Sequence, residues 1–262
     1  MQVEKVTEYI TTWLKEYATN AGVKGFVIGV SGGIDSAVTS TLCARTGFPT
    51  LCLKMPIHQA QNQDDRASNH ISWLQEYFKN VSVTPVNLTP VFESLLKEFP
   101  VVKKENDRFM TLANTRARLR MTSLYYFAGL ENLLVAGTGN KVEDFGVGFY
   151  TKYGDGGVDL SPIADLMKSE VYAIARFLGI SDEIQKAAPT DGLWGDDRTD
   201  EDQLGATYDE LEWAMNTQVD GRKITDFFGR QKKVYETYLK LYNANLHKMK
   251  PIPVCEIPEE LK

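Results

Sequence analysis

The sequence contains few of the residues that form disulfides or structural metal sites, with three cysteines and three histidines in 262 residues. Cys43, Cys52 and Cys255 are odd in number and widely spaced, which indicates reduced thiols and predicts a cytoplasmic protein. The three histidines show no metal-ligand spacing with the cysteines. A structural zinc site is therefore not expected.

Long hydrophobic runs are also missing, because the longest apolar segments, such as residues 133–136, have the length of a strand. No membrane span is expected, and residues 1–17 mix acidic with basic side chains, unlike a signal peptide. The 29 Lys and Arg against 35 Asp and Glu give a formal net charge of −6. This excess of acid argues against a nucleic-acid partner held by overall charge.

Apolar periodicity predicts strands that alternate with helices in the first half of the chain. The predicted strands are residues 23–30, 50–54, 81–86 and 133–137. The predicted helices are residues 3–17, 35–45, 64–79, 108–130, 168–178, 200–215 and 229–246. Such alternation predicts an α/β fold, a doubly wound, Rossmann-like parallel sheet with helices on both faces. We expect a single domain over residues 1–262, with the C-terminal helices packed on it.

A glycine-rich loop, VSGGIDSAV at residues 30–38, follows the first predicted strand. Its backbone N–H groups and the start of the next helix can bind an anion, and Ser36 can donate its hydroxyl. Most ATP-binding loops have the form GxxxxGK[ST], in which the lysine stabilises the γ-phosphate, but this loop has no lysine. Asp35 would repel a phosphate unless a cation lay between them, so its presence implies Mg²⁺.

A loop without that lysine suits a β,γ-pyrophosphate that leaves as one unit. The α-phosphorus is then the electrophile, and AMP is the group transferred. A second glycine-rich stretch, at residues 137–139, also follows a predicted strand. Ligands of parallel sheets bind beyond the carboxyl ends of the strands, so both stretches are expected at the binding edge.

The loop SGGIDSAV resembles the pyrophosphate loop of the N-type ATP pyrophosphatases, which include NAD, GMP, asparagine and argininosuccinate synthetases and tRNA-thiolating enzymes. Residues 137–159, GTGNKVEDFGVGFYTKYGDGGVD, together with LSPIADLMKSEV and APTDGLW, resemble the ammonia-dependent NAD synthetases within that group. The similarity runs from about residue 5 to residue 251. It implies that ATP adenylates the nicotinate carboxylate of deamido-NAD and releases pyrophosphate, after which ammonia displaces AMP.

The resemblance also implies roles for individual residues. The pyrophosphate loop would be Ser31, Gly32, Gly33, Ile34, Asp35, Ser36, Ala37 and Val38, and ATP would also contact Thr138, Lys168 and Thr190. Asp35 and Glu143 would hold Mg²⁺. Deamido-NAD would contact Arg118, Lys152, Asp159, His247 and Lys248. Members of this family are homodimers whose dinucleotide lies near the subunit interface.

The acids of GDGGVD suggest how ammonia is handled. Three glycines allow the backbone to fold closely around a ligand, and an acid there could hold ammonium and take its proton. We favour Asp155 for this catalytic role and Asp159 for a substrate contact. Lys168 is expected to assist the first step by neutralising charge.

Two segments limit the resemblance. Residues 54–65, KMPIHQAQNQDD, depart from the common family pattern, which affects the expected adenine-side contacts of Lys54, Gln59 and Gln61. Residues 191–202 are acidic and turn-rich, and we interpret them as a lid. Two other functions stay open: a relative that adenylates a different acceptor, and a non-catalytic adenine-nucleotide sensor.

Overall fold

The computed structural model describes residues 1–100, 108–189 and 199–262. Within these ranges the strands are β1 (Gly25–Gly29), β2 (Thr50–Lys54), β3 (Val81–Pro85) and β4 (Leu133–Val135). The α-helices are α1 (Val3–Ala21), α2 (Ile34–Arg45), α3 (Gln61–Tyr77), α4 (Thr89–Glu98), α5 (Phe109–Glu131), α6 (Lys168–Phe177), α7 (Asp182–Lys186), α8 (Asp200–Leu204), α9 (Tyr208–Val219) and α10 (Gly229–Met249). Among the described helices, none combines the length and apolar character needed to cross a membrane.

The strands form one sheet in the order β3-β2-β1-β4, and every neighbouring pair is parallel. The chain runs outward from β1 through β2 to β3 and then returns to the other side of β1, so the order reverses between β1 and β4. Parallel sheets open a crevice for ligands at such a point. The predicted α/β class with a doubly wound parallel sheet is confirmed.

Helices cover both faces of the sheet because alternate residues of each strand point to opposite faces. On one face, α1, α2 and α6 pack on Phe26 and Ile28 of β1, and α3 packs on Cys52 of β2. On the other face, α4 and α5 pack on Val27 and on the apolar residues of β2 and β4. The central strands are therefore buried on both sides and their sequences are almost entirely apolar.

Gly25 allows β1 to start directly beside the residue that precedes β2. The N–H of Phe26 donates to the carbonyl oxygen of Pro49 at 2.9 Å, and a Cβ on Gly25 would lie 1.9 Å from that same oxygen. A side chain at residue 25 would push the two strands apart. The position of the glycine-rich loop at the other end of β1 thus depends on this glycine.

The C-terminal helices α9 and α10 pack on each other and on a π-helical turn at Val142–Val147. They share a separate apolar core that includes Val142, Leu211, Val234 and Tyr238. A π-helical turn is rare and is often found at a functional site. Here it lies in the stretch that follows β4, on the side where the glycine-rich loop emerges.

The single helix predicted at residues 200–215 is wrong, because the chain forms α8 and α9 instead. Gly205 ends α8 in the left-handed conformation, with φ of 74°. Thr207 then caps α9, since its hydroxyl accepts from the N–H of Glu210 at 3.3 Å. A glycine C-cap followed closely by a threonine N-cap ends one helix and starts another. Helix α4 was not among the predicted elements.

Candidate active site

A cavity of about 600 Å³ opens at the carboxyl edge of the sheet. Its walls come from the segments that follow β1, β2 and β4, from the middle of α5, from the start of α6 and from the last turns of α10. These segments meet at the switch point between β1 and β4. The cavity therefore lies where an α/β sheet of this order binds its ligand.

The loop between β1 and α2 is held in shape by its own serines. The backbone N–H of Ser31 donates to the hydroxyl oxygen of Ser36 at 3.2 Å, and the N–H of Gly33 donates to that of Ser31 at 3.2 Å. Gly32 has φ of 84°, and a Cβ there would lie 2.6 Å from the carbonyl oxygen of Gln63. The loop is thus fixed against α3, and it leads directly into the N-terminus of α2, where backbone N–H groups can bind an anion.

A buried lysine joins two acids in the cavity wall. The Nζ atom of Lys168 lies 2.6 Å from Oδ2 of Asp35 and 3.0 Å from Oε1 of Glu143, and Lys168 is 2% exposed. Burial alone would lower the pKa of Lys168, but the two carboxylates outweigh it and raise that pKa. Lys168 is therefore a permanent positive charge between two negative ones.

Tyr208 and Asn140 complete this arrangement. The Tyr208 hydroxyl donates to Oε1 of Glu143 at 2.6 Å, and the ring centroid lies 4.6 Å from Nζ of Lys168. Burial, followed by the charge of Glu143, raises the pKa of Tyr208. The side-chain amide of Asn140 donates to Oδ1 of Asp35 at 3.2 Å. We call Asp35, Glu143, Lys168 and Tyr208 the central cluster.

Further acids lie beside the central cluster. Asp155 is accessible from the cavity but deeply surrounded by protein atoms, and this burial raises its pKa, while the N–H of Thr151, 3.0 Å from Oδ1, opposes the rise. Burial and the charges of Glu143, Asp155 and Asp35 raise the pKa of Asp144 to about 8. The region thus carries an excess of negative charge, which favours small cations.

Asp35 and Glu143 are the residues that could hold a divalent metal. In the described part of the chain no group of three or more His, Cys, Asp or Glu could do so on its own. Mg²⁺ is commonly bound through one or two carboxylates, water and substrate phosphates. A pair of acids that already converges on one cation, next to an anion-binding loop, fits a metal that is shared with a phosphate ligand.

Basic side chains from three distant segments meet beside the cavity. Arg118 Nη2 donates to the carbonyl oxygen of Lys152 at 3.3 Å, and Lys152 Nζ donates to that of His247 at 2.9 Å. Lys248 Nζ donates to the carbonyl oxygens of Gly148 and Tyr150, both at 2.8 Å. Burial lowers the pKa of Lys248. We call Arg118, Lys152, His247 and Lys248 the basic rim.

Of the predicted site residues that the structure describes, most share the cavity wall. The predicted residues that line the cavity are Ser31, Gly32, Gly33, Ile34, Asp35, Ser36, Thr138, Glu143, Asp155, Lys168 and Lys248. Ala37 and Val38 belong to α2, and their side chains are buried in the core. Asp159 accepts from the N–H of Val135 at 2.8 Å and from the Tyr125 hydroxyl at 2.9 Å. It lines a separate groove with Trp13 and Phe145.

Three predictions concern the remaining edge of the site. Thr190 lies outside the described residues, as do residues 191–198 of the predicted lid. On the side expected for adenine, Lys54 and Gln59 line the cavity. Lys54 Nζ contacts Asp64 at 2.8 Å, and Gln59 accepts from Arg120 Nη2 at 2.9 Å. These contacts hold the divergent segment in place around the cavity.

Sequence reasoning missed Tyr208 and Asn140. Asn140 lies inside the recognised stretch at residues 137–159, three residues before Glu143, the acid that was predicted to bind metal. That spacing is a signal that could have identified it. Tyr208 gave no such signal, because it is 65 residues from Glu143 in the chain. Helical periodicity treated it as one more apolar residue of a long helix.

Comparison with known proteins agrees with this geometry. The sequence profile of the NAD synthase family matches residues 6–252. The NH(3)-dependent NAD(+) synthetase of Syntrophomonas wolfei is 37% identical over 264 residues, covering all of both chains. That of Carboxydothermus hydrogenoformans is 37% identical over 235 residues, covering 88% of this chain and 92% of the relative.

Comparison with solved structures agrees with the sequence comparison. The NMN synthetase from Francisella tularensis matches with a TM-score of 0.82 at 32% identity, covering 99% of each chain. The NH3-dependent NAD synthetase from Campylobacter jejuni matches with a TM-score of 0.79 at 25% identity, covering 98% of this chain and 100% of the other. On sequence and structure together, the chain belongs to the NAD synthase family.

Proposed function

We propose that this protein catalyses the ATP-dependent amidation of deamido-NAD with ammonia, which yields NAD, AMP and pyrophosphate. The observation that carries the proposal is the central cluster, in which Asp35 of the glycine-rich loop faces Glu143 across one buried cation. A loop that binds phosphate with an acid and without a lysine suits release of pyrophosphate as a unit. Members of the family use ATP, and the relatives named above are NH(3)-dependent NAD(+) synthetases.

The first step is adenylation of the nicotinate carboxylate. The glycine-rich loop and the N-terminus of α2 bind the β,γ-pyrophosphate. To donate to it, the N–H groups of Ser31 and Gly33 and the Ser36 hydroxyl exchange their contacts within the loop for phosphate oxygens. The substrate carboxylate attacks the α-phosphorus, and the bond from that phosphorus to the bridging oxygen breaks. Asp35 and Glu143 would hold Mg²⁺, which when bound offsets phosphate charge. Lys168 adds a buried positive charge beside them, and Thr138 contacts ATP.

The second step is attack by ammonia on the acyl adenylate. Asp155 accepts a proton from ammonium, so that NH₃ carries a free electron pair, and its raised pKa makes it a better base. The nitrogen forms a bond to the acyl carbon, and AMP leaves with the electrons of the carbon–oxygen bond. The protonated nitrogen then releases one proton to solvent, which gives the neutral amide. The acidic surroundings of Asp155 favour ammonium over chloride or other anions in this region.

The basic rim would bind the dinucleotide. Deamido-NAD carries a pyrophosphate, and three cationic side chains, Arg118, Lys152 and Lys248, lie within one patch beside the cavity. His247 adds a ring to the same patch. Asp159 stays a predicted contact for deamido-NAD, although its carboxylate already accepts two hydrogen bonds from the protein.

A homodimer is supported by an exposed aromatic and apolar face. Tyr126 and Leu130, which lie one turn apart on α5, are 65% and 66% exposed. Exposed apolar side chains in one region mark an interface, and the commonest oligomer is a two-fold dimer. Light scattering after size exclusion tests this, since a Y126D variant is expected to shift the mass from dimer toward monomer. Cytoplasmic location and a single domain stay predictions.

The decisive assay follows pyrophosphate and NAD in parallel, from Mg-ATP and ammonium chloride, with and without deamido-NAD. We expect both products to appear together and to require deamido-NAD. Pyrophosphate release without that requirement would point to a different acceptor. No release, with ATP binding detected by calorimetry, would instead support a nucleotide sensor.

The likeness to an NMN synthetase favours a second candidate function, amidation of nicotinate mononucleotide. Both acceptors carry the same nicotinate carboxylate, but the mononucleotide lacks the adenylate half that the basic rim and its surroundings would contact. Measuring kcat/KM for deamido-NAD and for nicotinate mononucleotide under the same conditions distinguishes the two candidate functions. We expect deamido-NAD to be preferred, and a preference for the mononucleotide would assign the second function.

A further inference from the structure

Tyr208 is a buried residue of the central cluster for which the two reaction steps above require no role. It is the first residue of α9, is 5% exposed, and lies among the apolar side chains that α9 shares with α10. Its phenol nevertheless reaches the cavity wall, where it meets Glu143. A tyrosine that served packing alone would not need a carboxylate partner at the site.

We propose that Tyr208 is a positioning residue, which fixes the orientation of the Glu143 carboxylate for binding a divalent cation. This inference rests on the proposed function, because it takes Glu143 as a metal-binding acid. It makes α9 part of the catalytic apparatus, although no residue of that helix was predicted to contact a substrate.

The hydrogen-bond geometry gives the phenol a defined direction. The Tyr208 oxygen lies 2.6 Å from Oε1 of Glu143 but 3.5 Å from Oδ2 of Asp200. A phenol has one proton to donate and keeps it at neutral pH, because its ordinary pKa is about 10. The proton therefore goes to Glu143, in the short range typical of a charge-assisted bond.

The same geometry selects one oxygen of Glu143 for a metal. Tyr208 and Lys168 both contact Oε1, at 2.6 and 3.0 Å. Among the described residues, no hydrogen-bond donor is recorded on Oε2. With Oε1 held from two sides, the carboxylate cannot rotate freely, and Oε2 is the atom directed to a ligand. Such outer contacts to a metal ligand typically set affinity as well as orientation.

Helix α9 is tied to the other side of the cluster as well. Glu212 accepts from the backbone N–H of Ser169 at 2.8 Å and from its hydroxyl at 2.7 Å. Ser169 follows Lys168, which is the first residue of α6. One helix thus holds both Glu143, through Tyr208, and the turn that presents Lys168. Movement of α9 would displace Glu143 and Lys168 together.

The test compares two tyrosines of the same core. Tyr208→Phe removes the hydroxyl on Glu143, whereas Tyr235→Phe removes a hydroxyl that donates to the Arg222 carbonyl oxygen at 3.0 Å, away from the site. Tyr235 is 3% exposed, so the two variants lose the same atom from equally buried positions. Mn²⁺ binding is measured by electron paramagnetic resonance with a non-hydrolysable ATP analogue, and the Mg²⁺ dependence of pyrophosphate release is measured beside it.

We expect Y208F to weaken Mn²⁺ binding, and to raise the Mg²⁺ concentration for half-maximal rate, by about 10- to 100-fold, as for other outer-shell partners of metal ligands. The KM for ammonium should stay unchanged. Y235F should match the unaltered protein in Mn²⁺ affinity, in the Mg²⁺ concentration for half-maximal rate and in the KM for ammonium. Equal metal affinities of Y208F and Y235F would overturn the inference and leave Tyr208 a packing residue.

A double-mutant cycle with Glu143→Gln tests the route of the effect. If Tyr208 acts through Glu143, adding Y208F to E143Q should weaken Mn²⁺ binding by less than about twofold, because coupled residues are not additive. If Y208F weakened Mn²⁺ binding in the E143Q background as much as it does alone, Tyr208 would act through a residue other than Glu143. Binding of Mn²⁺ with the analogue needs no acceptor, so normal binding without NAD formation would reject the proposed function and still test Tyr208.

If Y208F does not fold, fluorine resonances of the 3-fluorotyrosine-labelled protein replace it. The Y235F variant assigns the control signal, and E143Q identifies the Tyr208 signal as the one it moves. Loading with Mg²⁺ and the analogue should shift the Tyr208 resonance and leave that of Tyr235 in place. The inference would be overturned if E143Q moved no tyrosine resonance, or if Mg²⁺ with the analogue left the resonance that E143Q moves in place.

Discussion

The central cluster is buried and its charged groups contact one another, whereas the cations of the basic rim contact backbone carbonyl oxygens. Lys168 is 2% exposed and lies between two carboxylates, but Lys152 and Lys248 are half-buried and hold the chain around Gly148, Tyr150 and His247. The comparison teaches that the charges of the central cluster are balanced within the protein. In the basic rim, carbonyl partners leave the positive charge available for an anion.

The largest expected effect comes from removing the shared cation. Lys168→Met leaves Asp35 and Glu143 facing each other in a buried site, so the free energy of unfolding should fall by about 3–5 kcal/mol. Pyrophosphate release should also be lost. Urea denaturation measures the first effect. The control is Lys141→Met, which breaks a 2.8 Å pair with Asp165, itself 97% exposed, and should cost under about 1 kcal/mol. Equal losses in the two variants would remove the distinction between a buried and a surface ion pair.

Asp155→Asn should separate the two chemical steps. Loss of a general base is expected to lower kcat/KM for ammonium by about 10²- to 10⁴-fold, while the KM for ATP stays unchanged. Because burial raises the pKa of Asp155, the unaltered protein should lose activity as the pH falls and this carboxylate becomes protonated. Asp165→Asn, at an exposed acid, is the matched control. An unchanged ammonium dependence in D155N would remove Asp155 from this role.

A pH dependence of stability should come from the core behind the loop. Burial lowers the pKa of His70 to about 4, and its Nε2 lies 3.0 Å from the Ser40 hydroxyl of α2. The unfolded chain binds the proton near its ordinary pKa of about 6.5. The stability contributed by the neutral form of His70 is therefore complete above that pH, and it falls by about 3 kcal/mol as the pH drops to 4. His70→Gln should flatten this part of a denaturation profile. A slope equal to that of the unaltered protein would assign the effect to other groups.

The smallest expected effects belong to the basic rim. Lys152→Met and Lys248→Met should each raise the KM for deamido-NAD about tenfold, the size of one charge-assisted hydrogen bond, with no change in the KM for ATP. The effects should shrink at high salt, since the rim is open to solvent. Lys250→Met, at an exposed neighbour on the same helix end, should change neither KM. An equal rise in the KM for ATP would show that the basic rim also contributes to ATP binding.

The parts of the site that could be predicted are those encoded within one short segment. The loop at residues 30–38 lies between a strand and a helix that both have clear periodicity, so its position and its anion-binding character follow from local sequence. Tyr208 depends on contacts between α9 and a π-helical turn, and no local pattern encodes them. The break at Gly205 was missed for a related reason, because apolar periodicity continued across it while cap chemistry ended the helix.

The pairing of β1 with β4 has a consequence for how the molecule is made. These neighbours, which flank the cavity, are separated by more than one hundred residues of chain. Contacts of such sequence separation are slow to form, because a long loop must close first. Asp35 leaves the ribosome long before Lys168 and Tyr208 do. The site around Asp35 is therefore incomplete during most of synthesis. The chain acquires the ability to bind substrate late, when α6 and α9 have been added.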